Sequence, residues 1–79
     1  MPNPMTTRAL LAYSVPSLAH VRLVLLDVRG REVARLADGQ VEAGRHTVTI
    51  EASSLSAGLY FAHLQSGDVD LVRRVAVLK

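Results

Sequence analysis

The chain predicts an all-β fold, a sandwich of about seven short, mainly antiparallel strands, and three features carry that expectation. Apolar and polar residues alternate with a period of two in several short segments. Gly, Pro, Asp, Asn and Ser cluster between those segments at the spacing of a sandwich or barrel. Helical spacing fits none of them, and no stretch leaves room for the crossover helix of a βαβ unit.

The elements follow in order. Pro2-Asn3-Pro4 marks residues 1–7 as an extended lead-in, and the domain proper spans 8–79. A first strand is expected over Arg8–Ser14, closed by Pro16, which has no N–H for a ladder. In the next, Val21, Leu23 and Leu25 form one face, and Arg22, Val24 and Leu26 the other. Arg29-Gly30 then reads as a tight hairpin turn in which Gly30 supplies positive φ. A strand over Arg31–Ala37 is expected to end at Asp38-Gly39.

Glu42-Ala43-Gly44 opens the clearest alternation of all. His46, Val48 and Ile50 share one face, and Arg45, Thr47, Thr49 and Glu51 the other. The Ser53–Gly58 stretch crosses between strands, with Leu55 as a plug for the end of the core. Leu59–Ser66 follows, its Tyr60 expected as a buried ring whose hydroxyl reaches a partner at the sheet edge. Ser66-Gly67-Asp68 is the last hairpin. In Val69–Leu78, Val69, Leu71, Val75 and Val77 lie on one side with Arg73 interrupting. Asp70, Val72, Arg74, Ala76 and Leu78 lie on the other.

Size and composition narrow the function. Seventy-nine residues, 49% of them hydrophobic, make one domain with an ample core. With no cysteine, disulfides, thiol catalysis and Cys-ligated zinc are excluded, and apolar burial must stabilise the fold. No apolar run reaches the roughly 18 residues of a membrane span. Met1–Met5 lacks the charged start and apolar stretch of a signal peptide, so either the protein is cytoplasmic or this is a module of a longer precursor whose signal lies elsewhere. The net charge is +2, and the positive charge sits on Arg8, Arg22, Arg29, Arg31, Arg35, Arg45, Arg73, Arg74 and Lys79. These alternate with apolar and acidic residues, and the only aromatics are Tyr13, Tyr60 and Phe61, a poor match to nucleic-acid binding.

No catalytic, cofactor or metal site is expected. His20, His46 and His63 lack the short-range spacing of a zinc site, and His46 fits a hydrogen-bonded residue at the core boundary. Ser53, Ser54 and Ser56 sit in a turn without a nucleophile elbow. Asp27 and Glu32 flank a hairpin in a chain too small for a substrate cleft, which favours turn hydrogen bonds and surface charge over paired-carboxylate catalysis.

Several fragments, taken together in order, resemble one family. They are Pro2-Asn3-Pro4 with Thr6-Thr7, Tyr13-Ser14-Val15-Pro16, and Val21-Arg22-Leu23 running into Asp27-Val28-Arg29-Gly30-Arg31-Glu32-Val33. Ala43-Gly44-Arg45-His46-Thr47-Val48, Ala57-Gly58-Leu59-Tyr60-Phe61 and the closing Arg73-Arg74-Val75-Ala76-Val77-Leu78-Lys79 complete the series. This is similar to the type A C-terminal sorting domain of the type IX secretion system, related to the Ig-like domain of the flagellar hook-capping protein. Met5 departs from the pattern, since many members carry Phe there.

The resemblance implies an Ig-like sandwich with a targeting role. An N-terminal cargo domain of the same precursor would enter the periplasm by its own signal. The outer-membrane type IX translocon would recognise this domain, and a surface sortase would remove it, leaving the cargo at the cell surface or in the medium. No nucleic acid, membrane insertion or cofactor is implied, and the oligomeric state stays open. Arg73, Arg74 and Lys79 on the last strand and its tail are the candidate translocon contacts. Asp27, Gly30, Arg31, Gly44, His46, Gly58, Tyr60, Val75 and Val77 are read as positions that hold the shape. Two other readings stay open: an accessory binding or linker module of a secreted hydrolase, for instance a carbohydrate-associated one, and a self-assembling structural subunit.

Overall fold

The computed structural model describes residues 4–5, 8–67 and 69–78. Its elements are β1 (Pro4–Met5), β2 (Arg8–Val15), β3 (Ala19–Leu26), β4 (Glu32–Val41), β5 (Gly44–Glu51), β6 (Gly58–Ser66) and β7 (Val69–Val77), with no helix among the described residues. They form a five-stranded sheet in the order β1-β7-β6-β3-β4 and a two-stranded sheet of β2 and β5. Every pair is antiparallel except β1 with β7. The chain is therefore an all-β sandwich of six full strands and one two-residue strand.

The period-two pattern decides what goes inside. Val21, Leu23 and Leu25 of β3, Tyr60, Ala62 and Leu64 of β6, and Val75 and Val77 of β7 are buried on the inner face of the large sheet. Val15 of β2 and Ile50 of β5 meet them from the small sheet, with Ala52 and Leu55 packed beside them. Along β5 the inner residues His46 and Val48 are half-buried and Ile50 fully buried, as the strand runs into the core. Leu55 does plug the end, in a turn closed by its N–H donating to the Ala52 carbonyl at 3.0 Å. No polar or charged side chain is buried among the described residues, so burial of apolar area carries the fold.

Two expectations need correction. The strand begun near Arg31 does not end at Asp38-Gly39; β4 runs on to Val41, pairing Asp38, Gly39 and Gln40 with Arg22, Val21 and His20. Asp38-Gly39 stays extended because it is held in the ladder beside Arg22 and Val21, and two bulges lie upstream of it. Leu23 pairs with Ala37 but Val24 with Arg35, and Leu25 pairs with Ala34 but Leu26 with Glu32, leaving Leu36 and Val33 as extra residues. Each bulge resets the alternation, so Leu36 and its neighbour Ala37 are both half-buried and the phase is lost.

The second correction concerns the lead-in. Pro4 and Met5 pair in parallel with Ala76 and Val77 at the edge of β7. An edge is where a strand tolerates proline, because the missing N–H need not face a neighbour. Residues 1–3 and 6–7 lie outside the described residues.

Candidate functional site

Several of the residues expected to hold the shape make identifiable bonds. At the β3–β4 hairpin the Gly30 N–H donates to the Asp27 carbonyl at 3.0 Å, and the Asp27 N–H to the Arg31 carbonyl at 2.9 Å. The Asp27 carboxylate fills the turn: Oδ1 accepts the N–H groups of Arg29 at 2.9 Å and Arg31 at 3.0 Å. Its Oδ2 takes the Arg31 Nε–H at 3.0 Å. The Arg31 amide above all, then the Arg29 amide and the Arg31 guanidinium, hold the Asp27 carboxyl below its ordinary value of 3.8, against a contrary push from partial burial. Gly30 sits at φ 81°, where a side chain would be strained.

Gly44 and Gly58 open β5 and β6. An added Cβ at either would meet nothing within 4 Å, so backbone conformation and not close approach explains them. Tyr60 is buried, and its hydroxyl donates to the Ser56 carbonyl at 2.7 Å, anchoring the β5–β6 crossing to the core. His46 donates from Nε2 to the Glu42 carbonyl at 2.6 Å and stacks on Tyr13, ring centres 5.5 Å apart.

The remaining chemistry-bearing residues are kept apart. His20 pairs with Asp38 at 3.0 Å and His63 with Asp70 at 2.5 Å, at separate places on the large sheet. Among the described residues no three metal-binding side chains gather. Glu32 pairs with Arg22 at 2.8 Å and Arg35 at 3.3 Å, as surface charge.

The last strand has a partly open edge, while β2, β4 and β5 each have one partner strand only. Along one edge β7 pairs with β6 over its whole length, but along the other it meets only β1, at Ala76 and Val77. The outer edge from Val69 to Val75 therefore has no strand beside it among the described residues. A two-stranded sheet cannot cover a five-stranded one, so on the inner face Val69 and Leu71 stay exposed while Val75 and Val77 are buried; Val72 is exposed on the outer face. Between β2 and β7 this leaves a groove of about 250 Å³, lined by Leu11, Tyr13, Leu23, Ala62, Leu64, Leu71 and Arg73.

The two candidate arginines do not form one patch. Arg73 pairs in register with Ala62 and lines the groove, while Arg74 pairs with Phe61 and faces the outside of the large sheet. Neither has a carboxylate partner among the described residues, whereas Arg8, Arg22, Arg31 and Arg35 each do. Lys79 lies outside the described residues. The bare edge of β7 had no signal in the sequence, because pairing partners are set by distant segments.

Comparison with known proteins gives a family match. The family model described as secretion system C-terminal sorting domain matches residues 1–78. No curated protein and no solved structure matches the chain. That match spans nearly the whole chain, and the chain belongs to the C-terminal sorting domains of the type IX secretion system.

Proposed function

We propose that this domain is a non-catalytic address label, read by the outer-membrane translocon of the type IX system, that carries an N-terminal cargo to the cell surface or medium. The single observation behind it is the family match over 1–78. The folded surface adds support. Tyr60 is buried, and Tyr13 and Phe61 are half-buried, so no aromatic platform is offered to a sugar. What β7 does offer is a bare backbone edge with apolar side chains and two arginines free of carboxylates, features that suit strand addition by a receptor. Arg73 and Arg74 are the contacts we assign to that receptor, with Lys79 beside them in sequence. A surface sortase would then remove the label.

The test is a fusion of this segment to the C-terminus of a periplasmic reporter in a type IX-competent cell. The intact fusion should reach the surface or medium, and a copy lacking Val72 to Lys79 should not. An intact fusion that is folded yet held in the periplasm would overturn the reading.

A further inference from the structure

We propose that the bare edge of β7 is self-complementary and pairs with the same edge of a second copy, giving a twofold dimer with one continuous sheet. The inference does not depend on the sorting role. The unpaired stretch runs from Val69 to Val75, bounded by the β6–β7 turn on one side and by β1 at Ala76 on the other. Its centre is Val72, which is exposed.

An antiparallel pairing about a twofold axis at Val72 sets each residue opposite a defined counterpart in the second copy. Val69 meets Val75, Asp70 meets Arg74, Leu71 meets Arg73, and Val72 meets itself. All seven free positions are used. Facing residues share a face of the sheet, as strand pairing requires. On the outer face Asp70 and Arg74 form an ion pair twice, once on each side of the axis. Arg74 has no carboxylate partner within its own chain among the described residues. The Asp70 carboxylate gives Oδ1 to His63, leaving Oδ2 for the guanidinium. On the inner face the aliphatic stem of Arg73 covers Leu71, which is 51% exposed in the single chain.

Neighbouring registers fail on charge or length. Sliding one strand by two residues in one direction sets Arg73 against Arg73, and like charges directly opposite are destabilising. Sliding it the other way moves the counterpart of Arg74 beyond Val69, out of the strand. Arginines on an open edge discourage pairing with unrelated strands. Asp70 makes the exception for a copy of this chain, and the contact closes as an isologous pair instead of growing into a fibre.

The absence of cysteine makes a clean probe possible. Val72→Cys would place two thiols across the axis with Cα atoms about 4.5–5.5 Å apart, within disulfide reach. Leu10→Cys, 72% exposed on β2, is the control. Sedimentation of the wild-type chain should show a monomer–dimer equilibrium that shifts with concentration. Mild oxidation should cross-link Val72→Cys at least tenfold faster than Leu10→Cys. Asp70→Arg and Arg74→Asp should each weaken the dimer, and the double exchange should restore it. A wild-type chain that stays monomeric at every concentration, or a Val72→Cys chain that cross-links no faster than the control, overturns the proposal. So does a double exchange that melts like wild type but does not recover the dimer.

Discussion

The Tyr60 hydroxyl donates to the Ser56 carbonyl at 2.7 Å, while the ring of Tyr60 lies opposite Val75 on the neighbouring strand. One side chain thus ties the β5–β6 crossing to the strand that ends the sheet. Its hydrogen bond and its ring make separable contributions. Tyr60→Phe should cost about 1 kcal/mol, because the ring still packs and the exposed Ser56 carbonyl can turn to water. Tyr60→Ala should cost about 3–5 kcal/mol. In a domain of this size the first change lowers Tm by roughly 4–8 °C, read by thermal denaturation followed by circular dichroism.

Asp27 makes the hairpin turn sensitive to acid. Its carboxyl is held below 3.8 when folded, so the unfolded chain binds the proton more readily. The stabilisation it contributes is complete above that value and is lost as pH falls through the depressed folded value. Asp27→Asn should therefore lower Tm at neutral pH, with the gap to wild type closing toward the acid end. Melting curves taken from neutral to strongly acid pH check this; a gap that stays constant contradicts it. Gly30→Ala in the same turn should cost about 1–2 kcal/mol at any pH, since a Cβ at positive φ is strained whatever the charge.

The core and the exposed surface should respond differently to truncation. Leu25 is fully buried, and Leu25→Ala should cost about 2–5 kcal/mol, a large part of what a domain of this size has. Leu10, 72% exposed, should change stability by less than about 0.5 kcal/mol when cut to Ala. Urea titration of the two variants gives the comparison directly.

These contrasts also mark what the sequence discloses. Strand β5 was legible because nothing interrupts His46, Val48 and Ile50, and the sheet keeps their phase. The Asp27–Gly30 turn was legible because its chemistry is local, held within five residues from Asp27 to Arg31. Tyr60 and Leu55 were foreseen on similar grounds. The opposed directions of Arg73 and Arg74 also follow from adjacency in a strand. Illegible were the bulges at Val33 and Leu36, which depend on how β3 meets β4. So was the parallel contact of Pro4 and Met5 with β7, made by segments at opposite ends of the chain. Val24 escaped too. It stands on the outer face between Arg35 and His63 in register and is 2% exposed, although its parity assigns it to solvent.

The candidate contacts can be separated from the shape that carries them. Arg73→Glu with Arg74→Glu changes two exposed side chains on β7, and Arg29→Glu with Arg45→Glu changes two exposed side chains elsewhere. Surface substitutions of this kind shift stability by less than about 0.5 kcal/mol each, so both variants should melt close to wild type.

The most direct measurement is the fraction of reporter that reaches the surface or medium when its fused domain is wild type, the β7 pair or the control pair. Sorting by the last strand predicts full delivery for wild type and the control, with retention of the β7 pair in the periplasm. Equal delivery of both folded variants would remove the last strand from recognition, and retention of all three would remove the sorting role itself.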